Sequence, residues 1–183
     1  MKKLFSLTIT LIFSLIVLPL GAEAQKASRP LASVRETPTV TIDLGGAAGT
    51  YNGASYSELN LGVNWNITDY FTWRNAAFKR FSSVTDQDIL GLDSTLRLVS
   101  TSHFDSGYFR MFAGAGYRFA DPSTKNAMIG EAGLGINIGG LGIGGGAKYL
   151  KYDKIQLDSL GRETKRDDII YFITLAGHFG TGF

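Results

Sequence analysis

Three neighbouring residues near the middle of the chain have the side-chain types of a hydrolase triad. Ser102, His103 and Asp105 offer a nucleophile, a general base and an orienting carboxylate for acyl transfer. A triad is defined by its geometry, however, and residues this close in sequence seldom achieve it. All three also fall in a predicted turn. We therefore predict that the chain has no catalytic residues.

A second pattern has the form of a nucleotide-binding motif. Residues 140–145, Gly-Leu-Gly-Ile-Gly-Gly, match the dinucleotide fingerprint G-x-G-x-x-G. That fingerprint requires a strand before it and a helix after it, whereas here apolar residues recur at every second position as far as Tyr149. The chain has no cysteine and two well-separated histidines, His103 and His178, which argues against a metal site. We predict no cofactor, no metal and no enzymatic activity.

The N-terminus has the three-part layout of a secretory signal. Lys2 and Lys3 precede an apolar run over residues 4–20, and a small-residue cleavage site ends at Ala24. Residues 1–24 are thus predicted to be a signal peptide that directs export. Residues 25–38, which are polar and show no period, are predicted to be a flexible periplasmic lead-in. The formal net charge of +2 over 183 residues gives no reason to expect a nucleic-acid partner.

From Thr39 onward the apolar residues alternate with polar or small ones, which is the period of a β-strand. The clearest case sets Leu59, Leu61 and Val63 against Asn60 and Gly62. The third strand is ambiguous because it has aromatics on both faces, and we assign Phe71, Trp73 and Ala77 outward. Eight strands are predicted, at about 39–49, 58–67, 70–81, 90–100, 108–119, 128–138, 141–152 and 168–183.

Eight such strands form either a soluble sandwich or a membrane barrel, and the polar face distinguishes the two. It is dominated by Gly, Asn, Thr and Ala with isolated charges, as expected of the crowded lumen of a narrow barrel. In lipid, only helices and closed barrels satisfy every backbone polar group. Links between strands alternate in length as a barrel requires, except that the fourth, at 101–107, is longer than expected. We predict an eight-stranded antiparallel transmembrane up-and-down β-barrel over residues 39–183.

Aromatic residues are predicted to lie near the two ends of the barrel, where a bilayer would place them. In the last strand Tyr171 and Phe183 bracket the apolar band. The others are Trp65, Phe71, Phe109 and Phe179 near the periplasmic end and Tyr51, Tyr56, Phe81, Tyr117, Phe119 and Tyr149 near the external end.

The glycines of residues 133–137 and the alternating final strand that ends at Phe183 resemble the small OmpA/OmpX-type barrels of Gram-negative bacteria. The resemblance implies a monomer in the cell outer membrane, surrounded by lipid and lipopolysaccharide. It also implies that Phe179 and Phe183 form a signal for the barrel-assembly machinery. Gly177 and Thr181 depart from the family pattern, which has apolar residues there.

Charged residues at the alternate strand positions that face the lumen are the most informative candidates for a functional site. Arg118 is predicted near the external rim. Balanced opposite charges favour a closed, salt-bridged lumen, and the alternative is a selectivity filter in a thin channel. The predicted network has four acids, Asp43, Glu58, Asp93 and Glu131, and four bases, Arg74, Arg97, Arg110 and Lys148.

These observations favour a structural or surface-interaction role in the cell envelope. The long external loop, residues 153–167, is the candidate contact surface. The main alternative is a narrow, porin-like pore or conduit for small or hydrophobic molecules. A lipid A-modifying acyl enzyme that uses His103 is a third alternative, although lipid A occupies the leaflet opposite the predicted turn.

Overall fold

The computed structural model describes residues 40–51, 53–82, 88–155, 161, 163 and 165–177. The predicted signal peptide, the lead-in and the predicted assembly residues Phe179 and Phe183 lie outside the described residues, as does His178. In the described part of the chain, no helix has the length and apolar content needed to cross a membrane.

The described chain forms a closed, eight-stranded antiparallel barrel in which each strand pairs with its neighbours in sequence and the last pairs with the first. This confirms the predicted fold class of an up-and-down barrel. A short 3₁₀ helix, Ser123–Lys125, lies between the fifth and sixth strands. The strands are β1 (Val40–Tyr51), β2 (Ala54–Asn66), β3 (Phe71–Ser82), β4 (Ile89–Phe104), β5 (Gly107–Asp121), β6 (Ala127–Ile138), β7 (Leu141–Tyr152) and β8 (Asp167–Gly177).

Alternation along each strand sorts the side chains into an apolar exterior and a largely polar lumen. On β2, Leu59 and Leu61 are more than half exposed whereas Glu58 and Asn60 are buried. A strand places successive side chains on opposite faces, so this exposure pattern identifies the lumen face without ambiguity. β3 also points Phe71, Trp73 and Ala77 outward, the facing that the sequence indicates. Its lumen face holds Thr72, Arg74, Ala76, Phe78 and Arg80.

The links divide the barrel into two unlike ends. At one end, which we term the turn end, β2 joins β3, β4 joins β5 and β6 joins β7. The opposite end, the loop end, has the links 83–88, 122–126 and 153–166, together with the two-residue link 52–53.

The predicted length of the fourth link is wrong. β4 continues to Phe104 and β5 begins at Gly107, so only Asp105 and Ser106 connect them. Residues 101–104 remain strand because they pair with Gly107–Arg110 across the β4–β5 ladder. Apolar periodicity does not predict this part of the strand because Thr101, Ser102 and His103 are polar. With this tight turn, all three turn-end links are short.

The ladder between β1 and β8 joins the first strand to the last and closes the barrel. It pairs Ile42 with Gly177 at the turn end and Gly49 with Ile170 at the loop end. The β4–β5 ladder extends from the Leu90–Asp121 pair to the Phe104–Gly107 pair. The joint between the first and last strands therefore lies opposite a long, continuous hairpin.

Candidate functional site

The centre of the lumen contains a buried arginine held by two carboxylates. Arg118 on β5 donates two hydrogen bonds to Glu58 on β2, at 3.0 and 2.8 Å, and two to Asp93 on β4, at 2.7 and 2.8 Å. All three side chains are about 1% exposed. Bidentate pairing to both carboxylates satisfies their lone pairs, which a charge in a dry interior requires.

Further ion pairs extend this centre in both directions. Lys148 on β7 donates to Asp93 Oδ2 at 2.5 Å. Toward the loop end, Arg80 contacts Glu58 Oε2 and Asp168 Oδ2, each at 3.3 Å. The Arg118 centre and these neighbours form one continuous chain of alternating charge.

A separate ion pair involves Glu131, the residue opposite Lys148 in the β6–β7 ladder. Arg97 on β4 makes a bidentate contact with Glu131 on β6, at 2.8 and 3.0 Å. The Thr95 hydroxyl donates to the same carboxylate at 2.6 Å. Both oxygens of Glu131 therefore accept from side chains of β4, two strands away in the sheet.

The third pair lies closer to the turn end, between β1 and β3. Arg74 donates to Asp43 at 2.6 and 3.1 Å and also to Asn60 Oδ1 at 2.9 Å. Asn64 donates to Asp43 Oδ2 at 2.7 Å. Amide side chains of β2 thus complete the hydrogen bonding that the two charges need once water is excluded.

Arg110 is the exception among the predicted lumen charges. Its Nη2 atom donates to Thr72 Oγ1 at 2.6 Å and to Asn66 Oδ1 at 3.2 Å, both neutral acceptors. Among the described residues, no carboxylate lies within ion-pairing distance of it. The structure thus gives seven of the eight predicted charges an ionic partner within the lumen and leaves Arg110 with polar neighbours only.

Aromatic rings support three of the lumen arginines. The guanidinium of Arg118 lies 3.8 Å from the ring centroid of Phe78, and that of Arg97 lies 4.2 Å from Phe112. Arg80 lies 3.9 Å above the ring of Tyr56. Such cation–π contacts are strengthened by the exclusion of water. They fix the planes of the guanidinium groups that make the bidentate contacts.

The side chains that line the lumen are larger and less uniformly polar than the sequence suggests. Tyr56, placed with the external aromatics from the sequence, points inward and donates to Asp168 Oδ2 at 2.6 Å. Its parity on β2 is that of Glu58, which explains the inward direction. Large side chains fill the loop-end half of the lumen because that half excludes water and can be packed as a core. The buried cluster comprises Ala47, Tyr56, Ala127, Ile129, Leu150, Tyr152, Ile170 and Phe172.

Lys125 lies over this cluster at the loop end. Its Nζ is 5.5 Å from the ring centroid of Tyr51 and 5.8 Å from that of Tyr152. Burial, with a smaller effect of the nearby Arg80, lowers the pKa of Lys125 below its usual value. The Tyr51 hydroxyl also donates to the backbone carbonyl of Lys165, at 2.5 Å. Residues from two links and two strands thus meet over the loop end of the lumen.

Three charged residues of the network were missed or misplaced from the sequence. The sequence predicts Arg118 near the rim, but its side chain is buried in the lumen and binds Glu58 and Asp93. Arg80 and Asp168 were left out, although Arg80 shares the parity of Arg74 and Asp168 that of Ile170. Strict use of parity would have found both. Nη2 of Arg80 and Oδ1 of Asp168 are buried and have no hydrogen-bond partner in the part of the chain that the structure describes.

The residues of the candidate triad do not form a catalytic arrangement. Ser102 and His103 lie exposed at the end of β4, and Asp105 lies in the following turn. The His103 ring packs against Tyr108, 5.8 Å between centroids. Gly140 is in a turn with a positive φ of 90°, and the rest of the dinucleotide-like pattern is strand β7. No group of three metal-ligating side chains occurs within the described ranges.

A cavity of about 90 Å³ opens at the turn end of the lumen. Its polar walls include Arg97, Arg110 and Asp43, and glycines of β6 and β7 also line it. A far smaller void, of about 10 Å³, lies beside Lys148 and Glu131. Between these two voids, in the part of the lumen that the structure describes, the space is narrower at the charged network than at the turn end.

No protein-family model and no curated protein matches this chain. Among solved structures, it is similar to a de novo designed transmembrane β-barrel, with a TM-score of 0.51 and 11% sequence identity over 78% of this chain and 97% of that one. Neisserial surface protein A (NspA) gives a TM-score of 0.48 at 12% identity, covering 76% of this chain and 96% of that one. The first comparison shows that the fold is that of a transmembrane barrel.

Proposed function

We propose that this protein is an integral outer-membrane β-barrel with a structural or surface-interaction role and a lumen closed by its own side chains. The observation that carries the proposal is the inverted distribution of polarity. Charges such as Arg118 and Glu58 are buried at the centre, and large apolar side chains cover the outside. A protein dissolved in water has the opposite arrangement.

The exterior supports a lipid environment. Monomers dissolved in water rarely expose apolar patches beyond a few hundred square ångströms, because exposed hydrocarbon is unfavourable in water. Around this barrel, by contrast, large apolar residues point outward from every strand. Examples at least half exposed are Leu44, Leu59, Leu61, Leu90, Leu96, Phe119, Met128, Leu134, Ile143, Ile173 and Leu175.

The charged network supports closure. Ion pairs that cross the lumen connect β2 to β5 through Glu58 and Arg118, and β4 to β7 through Asp93 and Lys148. These contacts occupy the axis that a permeating ion would have to follow. Phe78 and the other large side chains of the loop-end half fill the remaining space, as expected for eight strands, whose lumen holds little more than side chains.

The remaining parts of the proposal concern orientation and partners. We assign the loop end to the cell exterior and the turn end to the periplasm, since external loops are the longer ones in such barrels. Outer-membrane lipid and lipopolysaccharide would surround a monomer, and the barrel-assembly machinery would insert it. Link 153–166, which includes exposed Lys154, Ile155 and Lys165, is the candidate surface for external contacts.

A narrow conduit is the second candidate function. The cavity at the turn end favours it, because it extends from the barrel mouth as far as Arg97. Passage through the loop-end half would nevertheless require the Arg118 centre to separate, which would leave buried charges without partners.

Planar-bilayer conductance of the protein, purified folded in detergent, distinguishes the two. We expect no discrete conductance steps from the wild type. Lys148→Ala serves as the lumen variant and Lys151→Ala, on the outward parity of the same strand, as its matched control. Conductance steps in the wild type whose size or ion selectivity changes with Lys148→Ala but not with Lys151→Ala would replace the closed barrel with a channel.

A further inference from the structure

We propose that the turn-end cavity is a binding site for a small organic carboxylate, with the Arg110 guanidinium as its anchor. The inference goes beyond the structural role, since it gives the wide end of the lumen a ligand of defined chemistry. It depends on the geometry of the cavity alone and holds whether or not the loop end conducts.

The charge of the cavity wall points to an anion. Asp43, the acid that lines the cavity, is already bound by Arg74 and Asn64. Arg97 is likewise bound to Glu131. Arg110 alone among these cavity charges has only neutral acceptors, so the wall carries one net positive charge that the described residues do not compensate.

Arg110 also keeps donors for a ligand. Both of its hydrogen bonds use Nη2, and in the described part of the chain Nε and Nη1 have no acceptor. A guanidinium has five N–H groups in a planar fork that matches the two oxygens of a carboxylate. An uncompensated charge that is partly removed from water is unfavourable, and a carboxylate on this face would relieve that cost.

The size and the other walls of the cavity define the rest of the ligand. A volume of about 90 Å³ is several times what one water requires, about 10–15 Å³. Val99 and the ring of Phe112 line it beside the backbone of Gly135 and Gly142. An acyl chain of a few carbons fits against this apolar part of the wall. Tyr108 and Arg110 belong to the polar part of the wall, where the carboxylate would bind.

The cavity opens at the turn end of the described barrel. On its loop-end side, the void beside Lys148 and Glu131 is about 10 Å³, which is room for one water at most. A ligand therefore enters and leaves through the turn end.

The test is a titration of the folded, isotope-labelled protein in detergent with sodium butyrate, followed by NMR of the Arg110 Nε–H and the Gly135 and Gly142 amides. We expect saturable shifts in these signals. Butyramide, which has the same shape without the charge, should bind at least tenfold more weakly. Arg110→Gln should weaken butyrate binding by at least tenfold, and Lys79→Gln, on the exterior, should leave it unchanged.

A second variant covers the case in which Arg110→Gln fails to fold. Ala176→Leu adds bulk to the cavity wall while retaining Arg110, and it should abolish the butyrate shifts. Equal binding of butyrate and butyramide, no saturable shift in the wild type, or unchanged binding in the folded Arg110→Gln or Ala176→Leu protein would overturn the proposal. Sodium chloride that produced the same shifts with equal affinity would also overturn it, since the site would then accept an inorganic ion only.

Discussion

Arg118 and Glu58 form two hydrogen bonds, of 3.0 and 2.8 Å, although they lie on β5 and β2, which are not neighbours in the sheet. The contact crosses the lumen and connects opposite walls of the barrel. Because Arg118 also holds Asp93, its removal would leave two buried carboxylates with fewer partners.

We therefore expect Arg118→Met to lower the free energy of unfolding by about 3–5 kcal/mol, since a broken buried ion pair leaves an uncompensated charge. Urea unfolding in detergent, followed by tryptophan fluorescence, measures it. Lys79→Met is the control, because the Lys79–Asp88 pair is 3.1 Å long but exposed and should contribute at most about 1 kcal/mol. Equal losses in the two variants would contradict a structural role for the lumen pair.

The glycine-rich wall of β6 and β7 makes a second prediction. A Cβ on Gly146 would lie 2.2 Å from the Ala132 carbonyl oxygen, whereas one on Gly130 would meet nothing within 4 Å. Gly146→Ala should therefore destabilise the barrel by about 1–3 kcal/mol through overpacking. Gly130→Ala should be neutral or slightly stabilising. Thermal unfolding monitored by circular dichroism compares them, and the reverse order would contradict the close approach of the two strands.

A third prediction tests whether the exterior faces lipid. Leu61 lies in the middle of β2 and points outward, so Leu61→Arg should cost about 2–4 kcal/mol in liposomes, the range for a cation near the bilayer midplane. Ile155→Arg, in the link after β7, should change stability by no more than about 0.5 kcal/mol. If Leu61→Arg were as mild as Ile155→Arg and the protein remained in solution without detergent, a water-soluble barrel would be the better description.

Orientation can be tested by single cysteines, because the chain has none of its own. Lys165 at the loop end and Ser106 at the turn end are both exposed. A membrane-impermeant maleimide should label Lys165→Cys on intact cells and Ser106→Cys only after lysis. Labelling of Ser106→Cys alone on intact cells would invert the proposed orientation, and labelling of neither would argue against surface exposure.

The fold could be predicted from the sequence because one physical pattern repeats through it. Alternation such as that of Leu59, Asn60 and Leu61 depends only on the two faces of a strand, and it needs no knowledge of distant contacts. The end of β4 could not be predicted in this way because Thr101, Ser102 and His103 are polar. Those residues are strand because β5 supplies hydrogen-bond partners, which is information that the local pattern lacks.

The lumen site could be predicted less fully than the fold. Parity identifies which charges face inward, and it placed Asp43, Glu58 and Glu131 among the lumen residues. It does not say which wall a long side chain reaches, so the position of Arg118 at the centre was missed. The isolation of Arg110 from carboxylates also depends on the three-dimensional register of four strands, which no spacing along the chain encodes.

The β1–β8 ladder has a consequence for the folding pathway. The other seven ladders join strands adjacent in sequence and close small loops, whereas the Ile42–Gly177 pair closes a loop that contains the whole barrel. Loop-closure entropy and high contact order make such a pairing slow. Until it forms, β1 and β8 are both open edges that can pair with another chain. We therefore expect the β1–β8 pairing to be the last step of folding. The same pairing is where we expect unfolding of the closed barrel to begin.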